Sequence, residues 1–415
     1  MKLLIATFLL FILTVTSVLA VSVTDFGAVE GGKIDASDAF NTAIKAAREN
    51  GSNLVTVPAG SFLIDKPVLM GDHITLKGEG RRNTVILIEK HDFVPITMGA
   101  ICRVEGFHFA YSNNQESINP KEAEPTILMT SINPHIIDVT FSGAWICVST
   151  PPEETNAGGA LFRDIDGWSH YRGFVISGAK DINKFENIHW FVGGTEVSDN
   201  AFYAKNRVCF DFTNVDGVMM SKCFTILSKT FFQQNATKPN EKGEIETSHS
   251  LPHYIDNCWV EHTDNGFIFA GYGGFVIDSS QILVRPGGIG ITVNSDAIFY
   301  NAAVTSTQVR GTGGGNIIGL IYDPKDYHVR TKLSVSDFQV IDGYPAVKLG
   351  SKARNFTMTN SHFMGSGGIE IAKGADSIII KDNIIDYWAG GYTIKNTNKQ
   401  SNTFIVKDNI VKKLK

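Results

Sequence analysis

The 415-residue sequence has only five cysteines, Cys102, Cys147, Cys209, Cys223 and Cys258. Their number is odd, their spacings are wide and no CxxC occurs, which argues against a zinc site and against a dense disulfide framework. Most sit in apolar runs such as Lys222-Cys-Phe224 and Asn257-Cys-Trp259, so the expectation is free thiols packed as small core residues. Charge is also scarce. At 19% charged residues and a net charge of −5, the chain is not basic enough to suggest nucleic acid or an anionic membrane surface as a partner. No segment after residue 20 is long and apolar enough to cross a bilayer. A P-loop, a dinucleotide fingerprint and a serine nucleophile elbow are all missing.

Glycine (40) and phenylalanine (27) are plentiful and spread along the chain, which favours many short strands and turns over long helices. The first 20 residues stand apart. Lys2 opens them, Leu3 to Val18 is almost unbroken apolar sequence, and Ser17 and Ala20 supply small residues at the −3 and −1 positions. That pattern predicts a secretory signal peptide over 1–20, with a membrane anchor as the alternative. The expected product is a secreted or periplasmic protein, residues 21–415, forming one domain whose cap and first coil span 21–65.

Self-similarity is the main internal signal. Strands open at Gly266, Gly290, Gly319, Pro345, Gly368 and Gly391, at successive spacings of 24, 29, 26, 23 and 23 residues. A β-patterned period in the twenties predicts a β-solenoid, here a right-handed parallel β-helix. A second strand aligns too: Ile378 to Ile385, Phe356 to Phe363 and Phe275 to Ile282 share one frame, each broken by Asp, Asn or Ser that tolerate left-handed turns. Roughly ten such coils fit the mature length. Near the N-terminus, Asp35 to Ala47 reads instead as a short amphipathic helix, with Phe40, Ala43, Ile44 and Ala47 on one face and Gly51 closing it. A helix there caps the end of the solenoid.

Val23-Thr-Asp-Phe-Gly-Ala-Val29, the 35–47 helix and Val57-Pro-Ala-Gly-Ser-Phe-Leu-Ile64 resemble the opening of the pectate-lyase-like superfamily. That group includes secreted pectate-lyase-like enzymes and phage tailspike depolymerases. The resemblance is specific for the scaffold and its cap and carries no catalytic residue. Members that act on carbohydrate usually hold the chain in a groove along one flank, walled by loops. It therefore implies an exported polysaccharide-degrading enzyme, a lyase or endo-glycosidase, binding an oligosaccharide or polysaccharide along the helix. A non-catalytic glycan-binding or surface protein and a polyuronate epimerase are the alternatives. Tailspike-like relatives are commonly trimers, so the chain is expected to be a monomer or a homotrimer.

Four polar interruptions of the repeat are candidate groove walls: 111–125, 149–159, 228–252 and 322–332. Aligning Ile255 with Ile277 and Tyr300 places Asp256, Asp278 and Asn301 in one outward column. Stacked strands lie about 4.8 Å apart, so Asp256 and Asp278 are expected to be neighbours. Paired carboxylates of this kind can split into an acid and a base, the working arrangement of most glycosidases. Glu261, His262 and Asp264 follow on the same coil, His249 and His253 precede it, and Arg285 comes from the next. Asp256, Asp278 and Glu261 are the candidate acid/base groups, and Arg285 or a nearby histidine such as His262 the base or charge stabiliser, although an Asp column is equally a structural ladder. In Arg163 to Arg172, the residues Trp168, His170, Tyr171 and Arg172 could line a subsite, or Trp168 and Tyr171 could be core. Tyr322 is a further candidate platform.

The polygalacturonase set, a complete calcium-dependent pectate lyase set and the Asp-Pro-His-Asp motif of alginate epimerases are all absent. No cofactor is evident and no metal ligand set is assigned; calcium is left open. Asn235-Ala-Thr and Asn355-Phe-Thr are glycosylation sequons if the source is eukaryotic.

Overall fold

The computed structural model describes residues 20–152, 156–236, 252–271, 273–294, 302–313, 316–325, 332–365, 367–387, 393–397 and 404–414. The predicted signal peptide lies almost wholly outside them. In the C-terminal half each strand pairs in parallel with the strand three places later. Ala302–Thr305 pairs with Leu333–Ser336, Gln308–Gly311 with Gln339–Ile341, and Ile318–Tyr322 with Val347–Leu349. Three strands per coil thus build three parallel ladders, and the chain is a parallel β-helix.

One ladder runs unbroken along the molecule. Its inward column is Val21, Val55, Leu76, Val104, Ile136, Phe162, Phe185, Met220, Ile255, Ile277, Val304, Val335, Met358, Ile380 and Val406. These fifteen levels exceed the expected ten. Upstream of Gly266 two strands of a coil fuse into long elements such as His135–Ser149 and Leu161–Ser177, which hide the period in the sequence. Each buried side chain in the column contributes about 1.5–3 kcal/mol, realised only when the next coil covers it.

From Ile136 on, after each outward residue of this ladder the chain turns a corner on a single left-handed residue. Asp138, Asp164, Asn187, Lys222, Asn257, Ser279, Ser306, Asp337, Asn360, Asp382 and Asp408 take this role, with φ between 47° and 60°. Asp and Asn dominate because their short polar side chains tolerate that conformation. The next residue points inward again and builds a buried polar corner. Asn383 donates to Met358 O and Asn409 Oδ1, and the Ser361 backbone N–H donates to Asn383 Oδ1 at 2.9 Å. Cys223 and Cys258 occupy this corner position further up.

Aromatic rings fill the wide middle of the core. Phe162 stacks on Phe185 at 4.6 Å, Phe174 on Phe210 at 5.5 Å and Phe269 on Phe275 at 3.8 Å. All five cysteines are free and buried, as expected. At the N-terminus helix α1, Ser37–Glu49, lays Phe40, Ala43, Ile44 and Ala47 against the first coils, with Phe40 edge-on to Phe62 at 6.3 Å. Asp35 Oδ1 accepts from the Ser37 backbone N–H at 3.0 Å and anchors its first turn. Among the described residues no helix is long and apolar enough to cross a membrane.

Candidate functional site

The register places Asp256 directly beside Asp278. The third member differs from the expectation. Asp278 is followed by Thr305, and Asn301 lies outside the described residues. The alignment slipped because the coil leading to Thr305 is longer than the one before it. Asp278 is tied into the scaffold: Thr305 Oγ1 donates to Oδ1 at 2.6 Å and Ser279 Oγ to Oδ2 at 3.1 Å. The Asp256 carboxylate accepts only from the Asn257 side-chain amide, at 2.8 Å, among the described residues. It lines a cleft of about 360 Å³ with Lys184, Glu186, Met219, Ser221 and Tyr254. Glu186, Ser221 and Asp256 are consecutive members of the outward column, so the two carboxylates stand about 10 Å apart along the stack.

The other expected members of this set go elsewhere. Glu261 and His262 follow the corner at Asn257, so they belong to the next face and line neither cleft described here. His262 is itself left-handed, with φ 50°, where the pairing to the next strand shifts register between Val260 and Thr263. Arg285 is a clamp. Its Nε donates to Asp264 Oδ1 at 2.9 Å, Nη1 to Asp199 Oδ1 at 3.0 Å, and Nη2 to the carbonyls of Ala204 and Ser228. It thereby fastens the 193–206 loop, which includes helix α2, Phe202–Asn206, to the coils. His253 is wholly buried between Phe232 and Phe269 rather than entering from a loop. His249 lies outside the described residues.

The structure presents none of the five candidate subsite residues as an open platform, and for Trp168 it agrees with the core alternative. Trp168 and His170 are buried and meet edge-on at 4.9 Å, and the His170 Nε2 bonds to Asn114 O at 3.0 Å. Tyr171 is stacked on Trp145 at 5.0 Å, and the Arg172 guanidinium sits 3.7 Å over its ring centre. No ring face is left for a sugar. Arg172 is committed to Asp211, with Nε donating to Oδ2 at 2.7 Å. Tyr322 is fully buried, its hydroxyl donating to Arg354 O at 3.0 Å. Of the four interruptions, 111–125 packs under the 193–206 loop: Ser117 Oγ donates to Gly193 O at 2.8 Å and the Thr195 N–H to Gln115 O at 2.9 Å. The other three are only partly described.

An exposed aromatic column stands one corner beyond Asp256. On the face that begins at Trp259, the outward residues in register are His108, Thr140, Asp166, His189, Phe224, Trp259 and Gln281. Trp259 is 48% exposed and Phe191, beside it, 40%. His189 meets Phe191 edge-on at 5.8 Å and Phe224 at 5.9 Å. These residues, with Lys222, Cys223 and Asn257, line an open cleft of about 420 Å³. Tyr254, 47% exposed, lies across the corner in the Asp256 cleft. Asp256 and Asn257 form the rim between the two.

Charge closes one end of the aromatic cleft. Asp166 accepts from Thr140 Oγ1 at 2.5 Å and pairs with Arg81 at 3.4 Å, while Arg81 also pairs with Asp138 at 3.3 Å. Burial lowers the His189 pKa, the Arg81 cation adds to that, and Asp166 opposes it. Burial likewise lowers His108, again opposed by Asp166. A neutral imidazole beside an aromatic shelf can accept a proton from, or hydrogen-bond to, a hydroxyl of a stacked ring. Among the described residues no group of three or more His, Cys, Asp or Glu could hold a metal ion.

Sequence reasoning passed over this shelf although its signal was present. Lys222-Cys-Phe224 and Asn257-Cys-Trp259 are the same frame of the repeat, and read as one column they put Phe224 under Trp259.

Comparison with known proteins agrees with the architecture. Residues 20–101 match the sequence model of a family described as rhamnogalacturonase A/epimerase, pectate lyase-like. No curated protein matches the chain. Among solved structures, the A-module of the Azotobacter vinelandii mannuronan C-5 epimerase AlgE4 is similar with a TM-score of 0.52 at 15% identity, over 93% of this chain and 100% of that one. The tailspike protein of the E. coli bacteriophage HK620, in complex with a pentasaccharide, gives 0.56 at 10% identity, over 93% and 78%. The catalytic unit of a GH87 alpha-1,3-glucanase from Streptomyces thermodiastaticus gives 0.50 at 12% identity, over 94% and 70%. The N-terminal match and these shared coils agree with the ladder geometry: the chain is a parallel β-helix, and its residues 20–101 are similar to that pectate lyase-like family.

Proposed function

We propose that this protein is an exported, polysaccharide-acting β-helix that lays an oligosaccharide across the corner at Asp256 and Asn257. The observation that carries this reading is the aromatic column of Phe224 and Trp259, open to solvent with Phe191 and His189 beside it. Aromatic faces pack the C–H side of a sugar ring while its hydroxyls stay wet. Strands repeating about every 4.8 Å also offer successive contacts along an extended chain. The similar structures include a mannuronan epimerase, a glucanase and a tailspike holding a pentasaccharide, which supports a glycan as the ligand.

For turnover, Asp256 is the carboxylate best placed to serve as acid or base. It borders the cleft, has a single side-chain partner among the described residues and shares its column with Glu186. Hydrolysis by two carboxylates and elimination from a uronic acid are both compatible with that set. Asp278 and Arg285 act as scaffold groups in this reading.

The test is a panel of acidic and neutral polysaccharides, each scored for retention in affinity electrophoresis, new reducing ends and ultraviolet absorbance of unsaturated uronates. Retention with reducing ends alone identifies a hydrolase, and retention with absorbance a lyase. Retention with neither identifies a binding protein. If no glycan retards the protein, or Trp259→Ala leaves retention unchanged, the reading fails.

A further inference from the structure

Of the five thiols, two share one structural position on adjacent coils. The pairs Ser221–Asp256 and Phe224–Trp259 are in register. Cys223 and Cys258 fall between them at equal offsets and therefore stack one above the other. Each follows a left-handed corner residue, Lys222 or Asn257, so both side chains turn inward in the same way. Each sulfur lies near the carbonyl two residues back, Ser221 O at 3.4 Å and Asp256 O at 3.5 Å. Burial raises the Cys223 pKa and the neighbouring Cys258 thiol adds to that, as expected of stacked neighbours. Stacked strands put their Cα atoms about 4.8 Å apart, inside the range of about 4.4–6.8 Å that a disulfide spans.

The remaining thiols have no such partner. Cys147 and Cys209 sit at one register position two levels apart, with Gly173 between them. That is about 10 Å, beyond the reach of a disulfide. Cys102 lies far up the chain, beside Gly71 O at 2.8 Å. Cys223 is buried but belongs to the lining of the open aromatic cleft, the side from which a disulfide reagent would reach it.

We infer that Cys223 and Cys258 are a cross-coil disulfide site, closed by a small-molecule disulfide such as oxidised glutathione. The Cys223 thiolate attacks one glutathione sulfur, the glutathione S–S bond breaks, and one reduced glutathione leaves. The Cys258 thiolate then attacks Cys223 Sγ in the mixed disulfide, the Cys223–glutathione bond breaks, and the second glutathione leaves. The two thiol protons end on the two departing glutathiones. The protein loses two electrons and oxidised glutathione gains them. Burial pushes the Cys223 thiol up, so the reaction speeds up as the pH rises through the alkaline range. The bond ties two coils at the foot of the aromatic cleft, whether or not a glycan binds there.

The test uses the intact wild-type chain, reduced and then exposed to oxidised glutathione, denatured, alkylated and analysed by mass spectrometry. The expected result is three alkylated cysteines in place of five, a mass loss of about 2 Da before alkylation, and a linked peptide pair containing Cys223 and Cys258. The oxidised protein should also melt about 2–8 °C above the reduced one. Cys102→Ala should still lose two thiols, whereas Cys258→Ala should stop at a glutathione adduct on Cys223. Five free thiols after oxidation, a stable glutathione adduct on the wild type, or a link between any other pair overturns the proposal.

Discussion

Trp259 stands in register on Phe224, one coil above it, and both face solvent on the flank that follows the Asn257 corner. The core of the β-helix gains nothing from an exposed tryptophan there, so its contribution is expected in recognition. Trp259→Ala should weaken glycan retention at least about 10-fold, near 1.4 kcal/mol. The unfolding midpoint should barely change, because surface substitutions usually stay within about 0.5 kcal/mol. Affinity electrophoresis and a thermal melt on the same sample separate the two effects.

Arg285 makes the opposite case. Its guanidinium is largely buried and bonded to Asp264, Asp199 and two backbone carbonyls. Arg285→Met leaves the Ala204 and Ser228 carbonyls without this donor, at a cost of about 2–4 kcal/mol. Limited proteolysis should then cut first within the 193–206 loop that Arg285 fastens. If stability is unchanged while turnover disappears, the residue is a charge stabiliser after all.

The scaffold was legible because it repeats: a turn former at each corner and an apolar residue two positions before it recur whatever the loops contain. Val304, not Tyr300, continues the Ile255–Ile277 column, because the masking variable is coil length, which a period in the twenties does not fix. The subsite residues stayed open between groove and core for a different reason. Trp168, Tyr322 and His170 have polar atoms that the core satisfies or encloses, so their residue type alone could not separate an outward ring from an inward one. In a strand that distinction is a shift of one residue. Asp256 beside Asp278 was found because its neighbours Ile255 and Ile277 fixed the face.

Two buried histidines make the fold acid-sensitive. Burial lowers the pKa values of His253 and His170 from 6.5 to about 4. Both are therefore neutral in the folded state where the unfolded chain already binds protons. Stability is full above pH 6.5 and is lost as pH falls from 6.5 towards 4, because the unfolded state takes up the protons first. Each group contributes on the order of 3 kcal/mol across that window. Among the described residues neither His253 ring nitrogen has a hydrogen-bond partner and the ring packs among phenylalanines, so His253→Phe should flatten the acid limb of a stability–pH curve. An unchanged slope in urea titrations between pH 6.5 and 4 would show that the histidine is not the sensor.

Asp256 and Asp278 are chemically identical neighbours in different circumstances, and that difference is testable. Asp278 has both oxygens engaged by Thr305 and Ser279, within the ladder that continues down the molecule. Asp256 has one amide partner and borders the cleft that also holds Glu186 and Tyr254. Asp256→Asn keeps the shape and the bond capacity but removes the titrating proton, so it should cut turnover about 10²–10⁴-fold while glycan retention stays the same. Asp278→Asn should leave turnover near wild type and lower stability by about 1–2 kcal/mol, the worth of its hydrogen bonds to a charged acceptor. Reversed effects would move the acid/base role to Asp278. Identical products at identical rates from both variants and the wild type would remove it from this column, and the shelf at Trp259 would then serve binding alone.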